Sequence, residues 1–441
     1  QFPGADAGGG DLGTDNDCDG AIDDPVSASL ADADVIVDPP ADYGYFGSTL
    51  GPVHDLDGDG IDEVFVSAPY ASPDVPYQGA AFLVRGADLA GHLTLDATHD
   101  QLLAPDTYSF LTAHGTGELE GVGGEFLFVA SGAAADGAGV TWAVATGSIL
   151  DGGAQDPANV AVATFTGADG DYAGTAPVTG RDIDGDGVHD LLLDAIGTGR
   201  ALGFPSPGGG AHGADDADWV WTPSPTGDYL ILRVPGDVDG DGTDDVGITQ
   251  GPDAGDAVGA ALYRGGAGLA GGEFGEGAAF YLLGSPTLEA VADTAAGSAL
   301  VVLAFQASLF VEPQEGATYD PLAGADYQLF RTADEAAFSG ALWSPSLGAA
   351  QAALVLAAYA HPEGTQTGEC VVWRMGEFSV DDFSTDLALR LRGERPGDRA
   401  CAALSVAPDL DGDGRGELMV GAPLADGTAA DSGRAYIQLN P

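Results

Sequence analysis

The chain has 441 residues and carries 69 acidic against 13 basic side chains, which gives a formal net charge of −56 at pH 7. A polyanion of this density is repelled by the phosphates of nucleic acids and by anionic membrane surfaces, so we exclude both as partners. Hydrophobic residues make up 44% of the chain, in runs far shorter than the ~20 apolar residues of a membrane-spanning helix, so we expect no membrane insertion. The 70 Gly and 26 Pro residues indicate many tight turns between short strands, and the predicted fold class is all-β.

The N-terminal residues 1–42 differ in composition from the rest and form a separate acidic segment. Within it, the sequence DNDCDGAIDD places four carboxylates at the spacing of a cation-binding loop: Asp15, Asp17, Asp19 and Asp23. This motif resembles the Asp- and Cys-rich calcium motifs of thrombospondin type 3 repeats, and the resemblance implies a calcium site. Residues 33–38 (ADVIVD) alternate in polarity as a strand does.

The start of the chain and its cysteines bear on the compartment. The sequence begins at Gln1 with no initiator Met, no basic region and no apolar region of a signal peptide, so we expect a mature product of export. Cys18, Cys370 and Cys401 allow at most one internal disulfide. A secreted context makes such a bridge plausible, and its connectivity stays open, as does the alternative of three buried thiols.

Internal repetition predicts the architecture. Four segments are near copies, each an acidic loop that leads into a short apolar strand: residues 55–69 (DLDGDGIDEVFVSAP), 182–195 (DIDGDGVHDLLLDA), 237–249 (DVDGDGTDDVGIT) and 409–423 (DLDGDGRGELMVGAP). Their first Asp residues are 127, 55 and 172 residues apart. These intervals correspond to about two, one and three units of a common repeat, so three units lack the acidic loop.

The three further units are identified by their apolar strands, at residues 126–130, 299–304 and 353–358. A second strand that starts with a small residue follows in most units, as in GAAFLVRG (79–86) and GRAYIQL (433–439). Repeated small sheets bury their faces when they stack in a ring, so we predict a seven-bladed β-propeller of four-stranded blades over residues 43–441. The last unit lacks its outermost strand, and we expect residues 33–38 to pair with residues 434–439 and close the ring.

The first unit also carries a family resemblance. It contains Phe46-Gly47, then DLDGDG, then a strand that ends Ser-Ala-Pro, then Gly-Ala-Ala-Phe. This order resembles the FG-GAP repeat of integrin α-subunit propellers and of many secreted bacterial proteins. The resemblance covers residues 43–441 and implies an extracellular calcium-binding propeller.

The chemistry of the acidic loops can be derived from their spacing. In D-x-D-x-D-G-x-x-D/E, the oxygens of positions 1, 3, 5 and 9 and the carbonyl of position 7 supply the hard oxygen ligands that Ca²⁺ prefers over Mg²⁺. The carboxylate sets are Asp55, Asp57, Asp59 and Glu63; Asp182, Asp184, Asp186 and Asp190; Asp237, Asp239, Asp241 and Asp245; and Asp409, Asp411, Asp413 and Glu417. The carbonyls are those of Ile61, Val188, Thr243 and Arg415. We therefore predict four calcium ions in blades 1, 3, 4 and 7, and a fifth in the N-terminal motif.

The other loops lack this spacing. In blade 2 the ligand positions are Gly117, Leu119 and Gly121, so we expect no metal there, nor in blades 5 and 6. We find no catalytic motif of a hydrolase, a metalloprotease or a nucleotide-binding enzyme. Trp219 and Trp221 are candidates for stacking on a sugar or for packing between blades.

These observations favour a secreted, calcium-stabilised propeller that acts as a non-enzymatic adhesion, binding or structural module at the cell surface or in extracellular matrix. Its partner would be an extracellular protein or a glycan. One alternative is a self-assembling subunit of an extracellular filament or surface layer, whose partners are copies of itself. Another is a glycan-binding lectin or a carbohydrate-active enzyme, since propellers host such sites.

Overall fold

The computed structural model describes residues 26–41, 43–96, 98–151, 153–225, 227–252, 259–283, 287–294, 297–304, 306–311, 318–319, 327–329, 340–344, 347, 353–358, 367–374, 387–411 and 415–439. Over these residues the chain is built almost entirely of short β-strands, as expected. Short helical turns lie between them: the 3-10 turns Leu30–Asp32, Gly86–Asp88, Thr146–Asp151 and Ala214–Asp216, the turn α1 Ala134–Gly137, whose Ala135 and Asp136 are left-handed, and the α-helical turn α2 Pro157–Val160. No helix in this part of the chain has the length and apolar character needed to cross a membrane.

The strands are short and follow one another with few interruptions. In chain order, the first are β1 Val26–Ser29, β2 Val35–Asp38, β3 Leu50–Val53, β4 Glu63–Ala68, β5 Ala80–Val84, β6 Gly91–Thr94, β7 Gln101–Leu103, β8 Thr112–Leu119, β9 Val122–Ser131, β10 Val140–Ala145, β11 Ala154–Gln155, β12 Ala161–Thr166, β13 Val178–Arg181, β14 Asp190–Ala195, β15 Arg200–Phe204, β16 Gly210–Gly213 and β17 Trp219–Trp221. The rest are β18 Gly227–Gly236, β19 Asp245–Pro252, β20 Gly259–Tyr263, β21 Phe280–Leu283, β22 Thr287–Thr294, β23 Gly297–Ala304, β24 Gln306–Val311, β25 Thr318–Tyr319, β26 Tyr327–Leu329, β27 Gly340–Ser344, β28 Ala353–Ala358, β29 Glu369–Arg374, β30 Leu387–Arg392, β31 Ala403–Ala407, β32 Glu417–Ala422 and β33 Arg434–Gln438.

These strands form seven sheets, which we number as blades in chain order. From the inner to the outer edge their first four strands are β3-β4-β5-β7, β8-β9-β10-β12, β13-β14-β15-β17, β18-β19-β20-β21, β22-β23-β24-β26, β27-β28-β29-β30 and β31-β32-β33-β2. The innermost strand of each blade contacts those of its two neighbours, and β31 of the last blade contacts β3 of the first. The sheets therefore stand around a closed ring, which is the arrangement of a β-propeller.

The predicted fold class is wrong in its blade composition, because the blades do not all have four strands. Among the described residues, five of the seven sheets carry a fifth strand at the outer edge. These strands are β6 in blade 7, β11 in blade 1, β16 in blade 2, β25 in blade 4 and β1 in blade 6, and each pairs in parallel with its neighbour. An isolated parallel bridge between Thr222 and Glu273 continues the pattern in blade 3.

The fifth strands follow one topological rule. The connection between the third and fourth strands of a blade crosses to the preceding blade and adds the parallel strand there. For blade 7 the third strand is β33, near the C-terminus, and the fourth is β2, near the N-terminus, so the strand that crosses to blade 6 is β1. Both chain ends therefore lie between the third and fourth strands of blade 7, where the other blades have a continuous connection. Each crossing strand links two neighbouring blades.

The hydrophobic core lies between neighbouring blades rather than inside any one of them. The second strands β4, β14 and β32 are buried along their whole length, because a blade packs on each of their faces. One apolar cluster joins Val64 and Phe82 of blade 1 to Met419 and Ile437 of blade 7. The first and last blades thus share a core in the same way as neighbours elsewhere in the ring.

Glycines before the third strands allow the blades to approach one another closely. Gly433 has a φ of +85°, and a Cβ atom there would lie 2.1 Å from the carbonyl oxygen of Phe46 in blade 1. Gly79 has a φ of +80°, and a Cβ atom would lie 2.0 Å from the backbone nitrogen of Leu111 in blade 2. The small residue that opens this strand in the sequence pattern is therefore required by the contact with the next blade.

The predicted closure of the ring by residues 33–38 is confirmed. Strand β2 pairs antiparallel with β33 in the register Val35 with Ile437, Ile36 with Tyr436, and Val37 with Ala435. Both partners belong to the same chain, so the ring is complete within one molecule. The N-terminal segment closes blade 7 and, through β1, also extends blade 6.

A largely buried arginine holds this closure. The Arg434 guanidinium donates two hydrogen bonds to the Asp38 carboxylate, with Nε–Oδ1 2.6 Å and Nη2–Oδ2 3.1 Å. Its Nη1 donates to Glu394 Oε1 at 2.6 Å, and the Tyr436 hydroxyl donates to the same oxygen at 2.9 Å. His92, on the crossing strand β6, lies 2.7 Å from Asp38 Oδ2. One side chain thus connects the two ends of the chain and the linker between blades 6 and 7.

A disulfide reinforces the same region. Cys370 on β29 is bonded to Cys401, which lies just before β31. The bond links blades 6 and 7, and both cysteines are buried. This pairing answers the question that the sequence left open, and Cys18 lies outside the described residues.

We expect that deletion of residues 1–40 will strongly destabilise the propeller, because it removes β1 and β2 and exposes the apolar edge of β33. The matched control is deletion of residues 1–24, which leaves both strands in place. Thermal unfolding of the two truncated proteins measures the difference. Equal melting temperatures for the two would contradict the role of β2 in closure.

We also expect Arg434→Met to lower the free energy of unfolding by about 3–5 kcal/mol, because it leaves the buried Asp38 carboxylate without its cation. The control is Arg395→Met, whose exposed side chain pairs with Asp426 at 3.1 Å, and which should cost about 1 kcal/mol or less. Urea unfolding of both variants provides the comparison. Similar losses of unfolding free energy in the two variants would show that the Arg434 hydrogen bonds do not stabilise the pairing of β2 with β33.

Candidate metal centres

The four acidic loops occupy equivalent places in their blades. Each joins the first strand to the second: β3 to β4, β13 to β14, β18 to β19, and β31 to β32. Since the innermost strands of a propeller run in the same direction, these loops all lie on one face of the ring, which we name the acidic-loop face.

The first aspartate of each loop organises the turn. Asp55 accepts hydrogen bonds from the backbone N–H groups of Gly58, at 2.8 Å, and Gly60, at 3.0 Å. The same pair of bonds recurs at Asp182 and at Asp237. Both glycines have positive φ in each of these loops, with values from +77° to +96°. The sequence D-x-D-G-D-G therefore encodes a left-handed residue at positions 4 and 6, which folds the carboxylates inward.

Three acidic side chains converge in each loop, with ligand atoms within 4.8 Å of one another. The sets are Asp55, Asp57 and Asp59; Asp182, Asp184 and Asp190; Asp237, Asp239 and Asp245; and Asp409, Asp411 and Glu417. They contain most of the carboxylates that the sequence singled out. No other such group converges in the described part of the chain.

Two predicted ligands, Asp186 and Asp241, accept hydrogen bonds from hydroxyl groups and lie outside the converging sets. Asp186 Oδ2 accepts a hydrogen bond from the Ser206 hydroxyl at 2.6 Å, and Asp241 Oδ1 accepts one from the Thr243 hydroxyl at 2.6 Å. Both bonds lower the pKa of the carboxyl group. Glu63 lies beside the first set but outside its group of converging atoms, and Asp413 lies outside the described residues.

Burial makes the ninth position electrostatically costly. It raises the pKa of Asp190 to about 6 and that of Asp245 to about 6, even though backbone N–H groups donate to each carboxylate. Repulsion from neighbouring aspartates contributes in the same direction. Burial likewise raises the pKa of Glu63, with further contributions from Asp57, Asp55 and Asp59. A bound cation would relieve both costs at once.

Glu63 has one carboxylate oxygen that a cation could bind. Its Oε2 accepts a hydrogen bond from the Leu56 backbone N–H at 2.7 Å, whereas its Oε1 is buried and has no hydrogen-bond partner among the described residues. A buried carboxylate oxygen without a donor is costly unless it binds a metal ion. The donor atoms of the loops are all oxygens, which suits Ca²⁺.

The structure adds arginines that sequence reasoning missed. Arg85 lies 3.6 Å from Asp57, and Arg264 lies 3.1 Å from Asp239, and both aspartates are at position 3 of their loops. Both arginines directly follow the third strand of their own blade, in the related sequences GAAFLVRG and GAALYRG. That shared position was the signal by which they could have been found. In blade 3 the corresponding segment supplies Ser206 instead.

The remaining candidates have different outcomes. The N-terminal set Asp15, Asp17, Asp19 and Asp23 lies outside the described residues, and its calcium site stays a prediction.

The long hairpin of blade 2 turns towards blade 3, where the Glu120 N–H donates to the Pro207 carbonyl at 2.9 Å. Trp219 and Trp221 are buried against Leu192 and Tyr263, so they pack in the core between blades 3 and 4 and do not stack on a sugar.

Comparisons with known proteins identify one repeat family in part of the chain. A model of the FG-GAP repeat matches residues 46–84 and 402–437, which contain the acidic loops of blades 1 and 7. No match is found among curated proteins. Among solved structures, the chain is similar to two described as BBS1N in complex with ARL6DN, soaked with mercury or with lead. They share 12% and 13% identical residues with it at a TM-score of 0.44, over 93% of this chain and 98% of theirs. Likeness at this level shows neither a common partner nor a common activity. The chain is therefore identified by its own features as a β-propeller that carries FG-GAP repeats.

Proposed function

We propose that the chain is a secreted, calcium-stabilised β-propeller that acts as a non-enzymatic adhesion, binding or structural module at the cell surface or in extracellular matrix. FG-GAP repeats are typical of extracellular proteins, and a propeller that carries them is typically a binding fold. The buried disulfide between Cys370 and Cys401 suits an oxidising compartment. An extracellular protein or a glycan is the partner class that this proposal implies.

The observation that carries the proposal is the convergence of carboxylates in four equivalent loops. Each loop joins the innermost strand of a blade to the buried second strand. A cation held there would neutralise the loop and fix the start of the second strand, since the ninth residue is the first residue of that strand in all four blades. Calcium would thus act on the fold, and the opposite face would remain available for a partner.

We expect the purified protein to retain four calcium ions after dialysis in calcium buffer, or five if the N-terminal motif also binds one. Asp184→Asn should remove one equivalent, because it withdraws a converging carboxylate from the loop of blade 3. Asp215→Asn, an acidic residue of the Ala214–Asp216 turn, serves as the control and should retain all of them. Elemental analysis gives the count, and two or fewer ions in the unmodified protein would contradict the assignment.

We expect a chelator to lower the melting temperature by many degrees. Calcium that binds only the folded state adds about 2.7 kcal/mol per site at a hundredfold excess over its Kd, and its removal leaves repelling carboxylates in each loop. The loss should be larger at low salt, where repulsion is less screened. Calorimetry with and without chelator tests this, and identical unfolding curves would show that calcium does not stabilise the fold.

A further inference from the structure

An aromatic cluster lies at the boundary between blades 1 and 2. It consists of Tyr45, Tyr70, Tyr77, Tyr108 and Phe110, which we name the tyrosine patch. The ring centroids of Tyr45 and Tyr70 are 4.4 Å apart, those of Tyr70 and Tyr77 5.6 Å, and those of Tyr77 and Tyr108 5.4 Å. Phe110 packs parallel to Tyr77 at 5.9 Å. The rings therefore form one continuous surface.

The tyrosine patch lies on the face opposite the acidic loops. Tyr70 and Tyr77 belong to the connection from β4 to β5, Tyr45 precedes β3, and Tyr108 and Phe110 precede β8. Backbone bonds join these segments, since the N–H of Phe110 donates to the Tyr77 carbonyl at 3.1 Å. Connections from the second to the third strand, and the starts of first strands, lie at the opposite end of the blade from the acidic loops. The patch and the candidate metal centres therefore do not compete for space.

Three tyrosines of the patch are exposed to solvent. Tyr70 is 40% exposed, Tyr77 41% and Tyr108 55%, and these are three of the six large hydrophobic residues that are exposed in the described chain. Single exposed aromatics are common, but a contiguous group marks a site of interaction.

The positive φ angles of the patch residues recur at the starts of other blades. Tyr45, Tyr77, Tyr108 and Phe110 all have a φ between +52° and +62°, which costs an L-residue about 1–2 kcal/mol. Tyr172 and Arg399 have similar values at the corresponding starts of blades 3 and 7. The turn is therefore a property of the propeller, whereas the aromatic side chains at this boundary are not.

The charge of the surroundings disfavours anionic ligands. The loops that carry the other four residues of the patch, 69–79 and 104–111, contain Asp74 and Asp106 and no Arg, Lys or His. Together with the net charge of −56, this disfavours nucleic acids and acidic glycans. Aromatic faces pack on the C–H faces of sugar rings, and tyrosine hydroxyls and carboxylates accept hydrogen bonds from sugar hydroxyls. A row of rings presents this chemistry repeatedly along a chain of sugars.

We propose that the tyrosine patch binds an uncharged polysaccharide. The rings of Tyr70, Tyr77 and Tyr108 stack on successive sugars, while Asp74 and Asp106 accept hydrogen bonds from their hydroxyl groups. This inference rests on the proposed role as a binding module and assigns it a surface and a ligand class.

The test measures retention of the full chain, in calcium buffer, on cellulose, chitin and starch, and on an array of neutral and acidic glycans. We expect retention on at least one neutral polysaccharide. The double variant Tyr77→Ala/Tyr108→Ala should weaken that binding about tenfold or more, because it removes two stacking surfaces. The matched control is Tyr172→Ala, since Tyr172 is 45% exposed with a φ of +49° but lies outside the patch.

A melting curve of each variant distinguishes loss of binding from loss of folding. Tyr108→Ala alone, at the most exposed ring, provides a milder variant that should also bind more weakly. Failure of the unmodified protein to bind any neutral polysaccharide would overturn the inference, as would equal binding by the double variant. Binding of an oligo-arginine peptide alone would replace the sugar by a cationic partner. In that case the proposed role as a binding module would stand and only the ligand class would fall.

Discussion

Closure of the ring is the constraint on which the rest of the structure depends. A blade of four or five short strands has two large apolar faces, and each face is buried only when a neighbouring blade stands beside it. The chain has two ends, and in this protein one blade is assembled from both of them. Blade 7 meets this requirement with β2 against β33, and the burial of Arg434 between Asp38 and Glu394 makes that pairing specific. If this pairing opened, Val64 and Met419 would lose the core that they share.

The fifth strands extend this argument around the ring. Neighbouring blades of a propeller can be held by side-chain packing alone, but here the parallel strands add backbone hydrogen bonds from one blade to the next. Strand β6 leaves blade 1 to pair with β2, and β1 leaves the closing segment to pair with β30. The N-terminal segment therefore pairs through β2 with β6, which comes from blade 1, and through β1 with β30 of blade 6. Together with the disulfide between Cys370 and Cys401, these crossings concentrate covalent and hydrogen-bonded links where the chain is interrupted.

The sequence predicted those features that leave a hydrophobic or chemical pattern. The closing strand alternates in polarity, and the acidic loops recur with carboxylates at odd positions, so both could be located without coordinates. The fifth strands could not, because β6 (GHLT) is largely exposed at the sheet edge and β16 (GAHG) is made of small and polar residues. Their pairing depends on backbone groups, which every residue carries. Similarly, the ion pairs of Arg85 with Asp57 and of Arg264 with Asp239 depend on which loop ends meet in space.

The candidate metal centres and the tyrosine patch lie on opposite faces of the ring. One face holds the carboxylates whose repulsion and burial favour a cation, and the other holds the tyrosine patch. Loop residues of both kinds are positioned by the same strands, since β4 begins at Glu63 beside the first acidic set and ends at Ala68, just before Tyr70. A cation bound at the first loop would therefore fix one end of β4, and the patch extends from the other end. Calcium would influence a ligand on the tyrosine patch through the stability of this strand, without touching the ligand itself.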